Sequence, residues 1–152
     1  MKSARVLLTD PEVTPLLEAV MQEYRERYGP LSDEVLPTAE FDAPDGAFIV
    51  LLNDQGETVA GGGIRRYNAD SCEVKRVWTH AHYRRQGLAI RVLTELEDAA
   101  RELGYERVRL ETGPAQPEAH ALYRRLGYQK IETYGHYPQA TGFERVLSEP
   151  AA

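Results

Sequence analysis

Five consecutive apolar residues at positions 48–52 limit the folds open to this chain more than any other feature. A strand with water on one face alternates apolar and polar side chains, so an unbroken apolar run predicts a strand covered on both faces. Residues 53–56 are typical of a tight turn, and residues 57–67 can return as a partner strand. The sequence therefore predicts a hairpin within a layered domain.

The rest of the chain alternates between strand and helix patterns. An amphipathic helix is predicted to begin at Pro11, behind Asp10, and a longer one runs from Leu88 to Gly104. A shorter helix is predicted between Pro117 and Gly127, and residues 31–46 are irregular. The remaining strands are predicted at residues 6–9, 72–79, 107–112, 128–133 and 141–147. This order predicts an α/β (α+β) fold, a mixed sheet with helices on both faces.

Three successive glycines, Gly61, Gly62 and Gly63, lie inside the partner strand. Glycine weakens a strand locally, so the run predicts a bulge or the close approach of another backbone or a ligand. It does not form a dinucleotide-binding motif, because Arg66 stands where the third glycine belongs.

The size and composition are those of one soluble domain. The chain has 152 residues, of which 42% are hydrophobic and 28% charged, so we expect a single domain over residues 1–152 with its core at residues 6–147. No apolar run approaches the roughly 20 residues of a membrane span, and the first ten residues lack the apolar stretch of a signal peptide. We therefore expect a cytoplasmic protein with no membrane partner.

Charge and cysteine content narrow the function classes. A net charge of -6 argues against binding to nucleic acid and favours a cationic or neutral substrate. The single cysteine, Cys72, allows no internal disulfide, and four scattered histidines predict no metal site. His80 and His82 would supply only two ligands.

A short basic segment lies between a predicted strand and the start of the long helix. Such a turn directs backbone amides and the positive end of the helix dipole to one point, which suits a pyrophosphate. A glycine there permits close backbone approach, and arginines add positive charge. The residues concerned are Arg84, Arg85, Gln86, Gly87, Leu88 and Ala89.

This segment matches the Arg/Gln-x-x-Gly-x-Gly/Ala signature of the GNAT superfamily of acetyltransferases. Residues 72–78 resemble the fourth strand of that family, and residues 110–113 resemble its fifth. Residues 118–128 resemble its helix and turn ending in Leu-Tyr-x-x-x-Gly-Phe/Tyr. Three blocks in the same order are more specific than any one of them.

The resemblance implies a mostly antiparallel sheet of about seven strands, in which strands 4 and 5 splay apart to admit acetyl-coenzyme A. It places the pyrophosphate on the amides of residues 85–89 and the pantetheine arm along the main chain of Val77, Trp78 and Thr79. His120 stands where relatives often carry an asparagine that contacts the cofactor, although a surface histidine is an alternative interpretation.

The same resemblance suggests the catalytic groups. Tyr123 is the candidate general acid for the leaving thiolate, since a tyrosine hydroxyl with a reference pKa of about 10 is protonated at neutral pH. Glu73 is the candidate general base, acting through a water. Glu111 is the alternative base, or it holds the substrate ammonium. Cys72 alternates with Glu73 onto the opposite face of its strand and is not expected to act as a nucleophile.

In the family the acceptor is recognised by the first helices and by the loop between the last two strands. The resemblance makes Tyr24, Tyr28, Glu111, Tyr134 and His136 the candidates in this chain. The expected function is direct acetyl transfer from acetyl-CoA to the primary amine of a small molecule, and a homodimer is left open. The alternatives are a protein N-terminal or lysine acetyltransferase, and a non-catalytic acyl-CoA sensor.

Overall fold

The computed structural model describes residues 1–7, 9–28, 38–112, 117–134 and 139–147, without the side chains of residues 23, 24, 27, 28, 38, 39, 117 and 118. The strands are β1 (Lys2–Arg5), β2 (Ala47–Leu52), β3 (Thr58–Arg66), β4 (Ser71–Thr79), β5 (Arg107–Thr112), β6 (Gln129–Ile131) and β7 (Thr141–Val146). The helices are α1 (Thr14–Tyr28), α2 (Leu88–Glu102) and α3 (Pro117–Arg125). None of the described helices has the length and apolar character needed to cross a membrane.

The strands form one sheet in the order β1-β2-β3-β4-β5-β7-β6. Every neighbouring pair is antiparallel except β4 and β5, which are parallel. A parallel pair requires a crossover connection, and α2 supplies it between these two strands. The predicted fold class, a mixed and mostly antiparallel sheet, is confirmed.

Helices cover both faces of the sheet. Ile49 and Leu51 of β2 belong to the core cluster that contains the buried side chains of α2, whereas Phe48 and Val50 belong to the cluster that contains those of α1. All four side chains are buried. The unbroken apolar run of β2 thus serves two cores, as predicted.

The glycines of β3 make room for protein side chains. A Cβ at Gly61 would lie 2.6 Å from Leu16 Cδ1 of α1, and one at Gly63 would lie 2.5 Å from the Phe48 ring. Both distances are too short for real contacts, so these positions require glycine. The predicted close approach is confirmed: the approaching groups are side chains of the α1 core and, at Gly61, also the Ile49 carbonyl oxygen at 2.6 Å.

The first strand lies earlier than predicted. β1 occupies Lys2–Arg5 instead of residues 6–9, and its register with β2 runs from Lys2↔Leu52 to Arg5↔Ile49. A turn begins at Leu7, whose amide donates to Asp10 Oδ2 at 2.9 Å. The Asp10 carboxylate therefore closes this turn and does not cap the following helix, which opens with a 3₁₀ turn at Pro11–Val13. Of the irregular segment, residues 31–37 lie outside the described ranges, and Thr38–Phe41 forms a short 3₁₀ helix.

Candidate active site

The parallel strands β4 and β5 diverge after a short ladder. They pair at Ser71↔Arg107, Cys72↔Val108 and Glu73↔Arg109, and both strands continue beyond the last of these pairs. The sheet therefore opens into a fork whose base is the pair Glu73↔Arg109. This confirms the predicted splaying of the fourth and fifth strands.

A bulge in β4 lies just beyond the base of the fork. Gly61 pairs with Trp78 and Gly63 with Lys75, so β4 carries one extra residue here, and Arg76 has a left-handed φ of 61°. The bulge reverses the alternation of side chains, which places Trp78 in the α1 core. Glu73 precedes the bulge, so its orientation is unaffected.

Glu73 is buried in an ion-pair cluster on the α1 face. It is 6% exposed, and Nε and Nη2 of Arg65 each lie 3.1 Å from its Oε1. Its Oε2 lies 4.0 Å from Nζ of Lys75. Arg65 also pairs with Glu40, at 3.0 Å. The carboxylate predicted as a base is therefore flanked by two cations.

Aromatic and charged side chains cover the base of the fork on the same face. The Arg109 guanidinium carbon lies 4.4 Å from the ring centroid of Tyr67 and 4.9 Å from that of Tyr134. The Tyr134 amide donates to Glu111 Oε2 at 3.2 Å. We call Glu73 together with these four residues the fork cluster.

Tyr134 spans the two strands of the fork. Its hydroxyl is buried near the Glu73 carboxylate without a well-aligned hydrogen bond to any described group. Burial raises the pKa of Tyr134, and the negative charge of Glu73 raises it further. This hydroxyl therefore keeps its proton at neutral pH.

The structure brings together Glu73, Glu111 and Tyr134 of the predicted site. Sequence reasoning did not find Arg65, Tyr67 or Arg109. Counting back from the β3–β4 turn, where Arg66 pairs with Cys72, would have placed Arg65 opposite Glu73. His136 and the side chains of Tyr24 and Tyr28 lie outside the described residues.

The predicted pyrophosphate turn is exposed at the N-terminus of α2. Residues 84–87 are exposed, while Leu88 is buried and anchors the helix. Arg85 and Gly87 both have left-handed backbones, with φ of 63° and 78°. A Cβ at Gly87 would meet nothing within 4 Å, so open space lies beside the first amides of the helix.

The segment between β4 and this turn is held by local hydrogen bonds. The His82 amide donates to His80 Nδ1 at 3.1 Å, which leaves that nitrogen occupied. Arg84 Nε donates to the Thr79 carbonyl at 3.4 Å. Among the described residues, no group of three or more side chains is arranged to hold a metal ion.

Tyr123 lies on the opposite face of the sheet from Glu73. It is 7% exposed and belongs to the α2 core, with its ring centroid 5.9 Å from that of Phe143. Phe143 pairs with Leu110, the β5 residue that follows the base of the fork. His120 also packs on Phe143, at 5.6 Å, and is half-buried. Tyr123 and Glu73 therefore lie on opposite faces of the sheet.

Cys72 is fully buried in the α2 core. Burial raises the pKa of its thiol to about 12, so almost no thiolate exists at neutral pH. A buried and protonated thiol is poorly suited to act as a nucleophile.

Comparisons with known proteins agree with this architecture. A family model described as the acetyltransferase (GNAT) family matches residues 14–128, from the start of α1 to just past α3. The uncharacterized N-acetyltransferase YjgM of Escherichia coli is 30% identical over 130 residues, which cover 78% of this chain and 77% of that protein.

Two solved structures show the same fold. A Klebsiella pneumoniae protein assigned as an acyl-CoA N-acyltransferase is 29% identical, with a TM-score of 0.79 and 97% of each chain covered. A phosphinothricin acetyltransferase from Sinorhizobium meliloti, in complex with acetyl-CoA, is 18% identical, with a TM-score of 0.69 and coverage of 97% of this chain and 89% of that one. The family match, the forked sheet and the helix start beside it lead to one conclusion: this chain belongs to the GNAT family of acetyltransferases.

Proposed function

We propose that this protein transfers an acetyl group from acetyl-CoA directly to the primary amine of a small molecule. The observation that carries the proposal is a sheet that forks between β4 and β5, with Glu73 and Tyr123 on its opposite faces and the start of α2 exposed. An amine entering from one face and a thiol leaving toward the other would meet at the gap between β4 and β5.

The cofactor side of the fork fits coenzyme A. The amides at the start of α2 and the side chains of Arg84 and Arg85 would hold the pyrophosphate, in the open space beside Gly87. The side chains of Val77 and Trp78 pack into the two cores, which leaves their main chain to pair with the pantetheine arm. The acetyl-CoA bound to the Sinorhizobium protein supports the same choice of donor.

The acceptor side requires a route for a proton. A simple alkylamine with a pKa of about 10.4 is protonated at pH 7, and freeing its lone pair costs about 4.6 kcal/mol. Glu111 would attract such an ammonium to the fork. Glu73, whose negative charge is partly offset by its two flanking cations, would take the proton through a water. Tyr67 and Tyr134 line the same face and would limit the size of the acceptor.

In the proposed reaction the neutral amine attacks the thioester carbonyl carbon. The C–N bond forms and the C–S bond breaks, so that the electron pair of the broken bond leaves on sulfur as a thiolate. Tyr123 donates its proton to that thiolate and is reprotonated from solvent. Glu73, having passed the proton of the ammonium to solvent, accepts the extra proton of the new amide nitrogen through a water. No covalent acyl-enzyme is formed.

A substrate panel tests the function. Release of coenzyme A from acetyl-CoA should be measured with small primary amines, with peptides bearing a free N-terminus or a lysine, and without acceptor. We expect turnover with a subset of the small amines. Turnover confined to peptides would identify a protein acetyltransferase, and tight binding of acetyl-CoA without turnover on any acceptor would identify a sensor.

Glu73→Gln tests the base through pH dependence. We expect wild-type kcat/KM for the acceptor to rise between about pH 6 and pH 9, because the free amine becomes more abundant. The variant should lose most activity at the acid end and recover partly at high pH. Glu40→Gln is the matched control, since Glu40 also pairs with Arg65 but is exposed and outside the fork cluster. Parallel profiles for wild type and Glu73→Gln would exclude Glu73 as the base and make Glu111 the next residue to test.

Cys72→Ala tests direct transfer. Because the buried thiol is protonated, we expect kcat to stay within about twofold of wild type, with some loss of thermal stability from the small cavity. Intact-protein mass spectrometry after mixing wild type with acetyl-CoA should show no acetyl adduct on Cys72. An adduct that disappears when the acceptor is added, together with an inactive Cys72→Ala variant, would establish an acyl-enzyme instead.

A further inference from the structure

Glu97 is a charged residue on the buried face of α2. It is 4% exposed and lies among the fully buried side chains of Leu93, Leu96 and Ala100. A carboxylate in such a place is costly unless it is paired and hydrogen-bonded. The groups that pair with Glu97 therefore identify the elements that this buried carboxylate links.

Each carboxylate oxygen of Glu97 accepts a hydrogen bond from a different part of the fold. The Tyr128 hydroxyl donates to Oε2 at 2.8 Å, and Arg145 Nη1 donates to Oε1 at 2.9 Å. Burial and the charge of Glu97 both raise the pKa of Tyr128, so its hydroxyl stays protonated and remains a donor. The network joins α2 to β7 and to the turn that follows α3.

Tyr128 is also in direct contact with Tyr123. Their ring centroids lie 5.7 Å apart, and the Tyr128 amide donates to the Tyr123 carbonyl at 3.0 Å. The ring of Tyr123 is therefore held between Phe143 and a tyrosine whose own hydroxyl is anchored to α2.

We propose that Glu97 and Tyr128 are positioning residues. They hold the Tyr123 hydroxyl at a fixed position relative to a cofactor bound at the N-terminus of α2. Glu97 stands on the helix whose first turn begins at Gly87, about 15 Å away along the axis at 1.5 Å per residue. A rigid helix thus links the pyrophosphate turn to the support of the candidate acid. The inference rests on the proposed role of Tyr123 in acetyl transfer.

A double-mutant cycle tests the proposal. The turnover number and the dissociation constant of acetyl-CoA should be measured for Tyr128→Phe in the wild-type and in the Tyr123→Phe background. We expect Tyr128→Phe to lower kcat about tenfold in the wild type and less than about twofold once the Tyr123 hydroxyl is gone. The affinity for acetyl-CoA should be unchanged in both backgrounds.

Two further variants separate positioning from stability. Glu97→Gln keeps an oxygen that can accept from Tyr128, so it should retain kcat within about threefold. Tyr105→Phe is the matched control, because Tyr105 is also a buried tyrosine of the same core whose hydroxyl donates to a main-chain carbonyl, that of Asp45. It should lose stability without losing kcat.

Each outcome decides one point. Equal losses of kcat from Tyr128→Phe in both backgrounds would show a purely structural role and overturn the inference. A strong effect of Tyr123→Phe with none of Tyr128→Phe would also overturn it, while leaving the proposed acid in place. A Tyr123→Phe variant with full turnover would remove the acid itself, and the positioning role with it.

Discussion

Replacing Gly87 with valine is expected to weaken acetyl-CoA binding by about 100-fold or more. The isopropyl group would fill the open space beside the first amides of α2, where the proposed pyrophosphate lies. Losing two or three charge-assisted hydrogen bonds at about 1.5 kcal/mol each accounts for that loss. Titration calorimetry with acetyl-CoA measures it directly.

Backbone strain must be separated from this effect. Gly87 has a φ of 78°, so any side chain there also costs about 1–3 kcal/mol of stability. Gly104, at the other end of α2, has a φ of 89° and an equally open Cβ position. Gly104→Val should therefore lower the melting temperature in a similar way and leave the affinity unchanged. Equal affinities for the two variants would place the cofactor elsewhere.

Removing the Tyr123 hydroxyl should have the second large effect. Tyr123→Phe keeps the ring that packs on Phe143 and Tyr128, but it loses the proton for the leaving thiolate. General acid catalysis is worth about 100-fold or more, so we expect kcat to fall by about that factor while the affinity for acetyl-CoA barely changes. Steady-state kinetics and calorimetry on the same preparation check both numbers.

A matched tyrosine near the pyrophosphate turn serves as the control. Tyr83 is half-buried, and its hydroxyl is hydrogen-bonded to Asn53 at 3.1 Å. Tyr83→Phe, like Tyr123→Phe, removes a tyrosine hydroxyl on the α2 side of the sheet. It should leave kcat within about twofold, as do most substitutions of residues that take no part in the reaction. An unaltered turnover number in Tyr123→Phe would reduce Tyr123 to a packing role.

The fold was largely predictable because its signals are local. β5 was predicted at residues 107–112 and is found at Arg107–Thr112. Charged and apolar residues alternate along it without interruption, which is typical of a strand with one buried face. The predicted start of α2 at Leu88 was also correct, because a glycine there is followed by apolar residues at helical spacing. β1 was misplaced because its four residues are mostly polar, whereas the apolar Val6 and Leu7 follow the strand and Leu7 begins a turn.

The candidate site was less predictable because it depends on pairing between distant segments. Glu73 was identified by its place in a motif, but its contact with Arg65 depends on the register of β3 and β4. The stacking of Arg109 between Tyr67 and Tyr134 joins three segments whose proximity follows from the strand order β4-β5-β7. Glu97 was overlooked because only the apolar members of the α2 stripe were considered.

The bulge at Arg76 constrains how this strand can change in length. Cys72 and Val74 before it, and Val77 after it, all reach the α2 core, while Trp78 reaches the α1 core. Deleting Arg76 would remove the extra residue and pair Gly62 with Val77, so Val77 and Trp78 would keep their faces in a regular strand. Losing a residue from a strand that has none to spare would instead shift every later side chain to the other face. In an alignment of relatives we accordingly expect any one-residue gap within residues 72–79 to fall at the bulge, at residues 75–77.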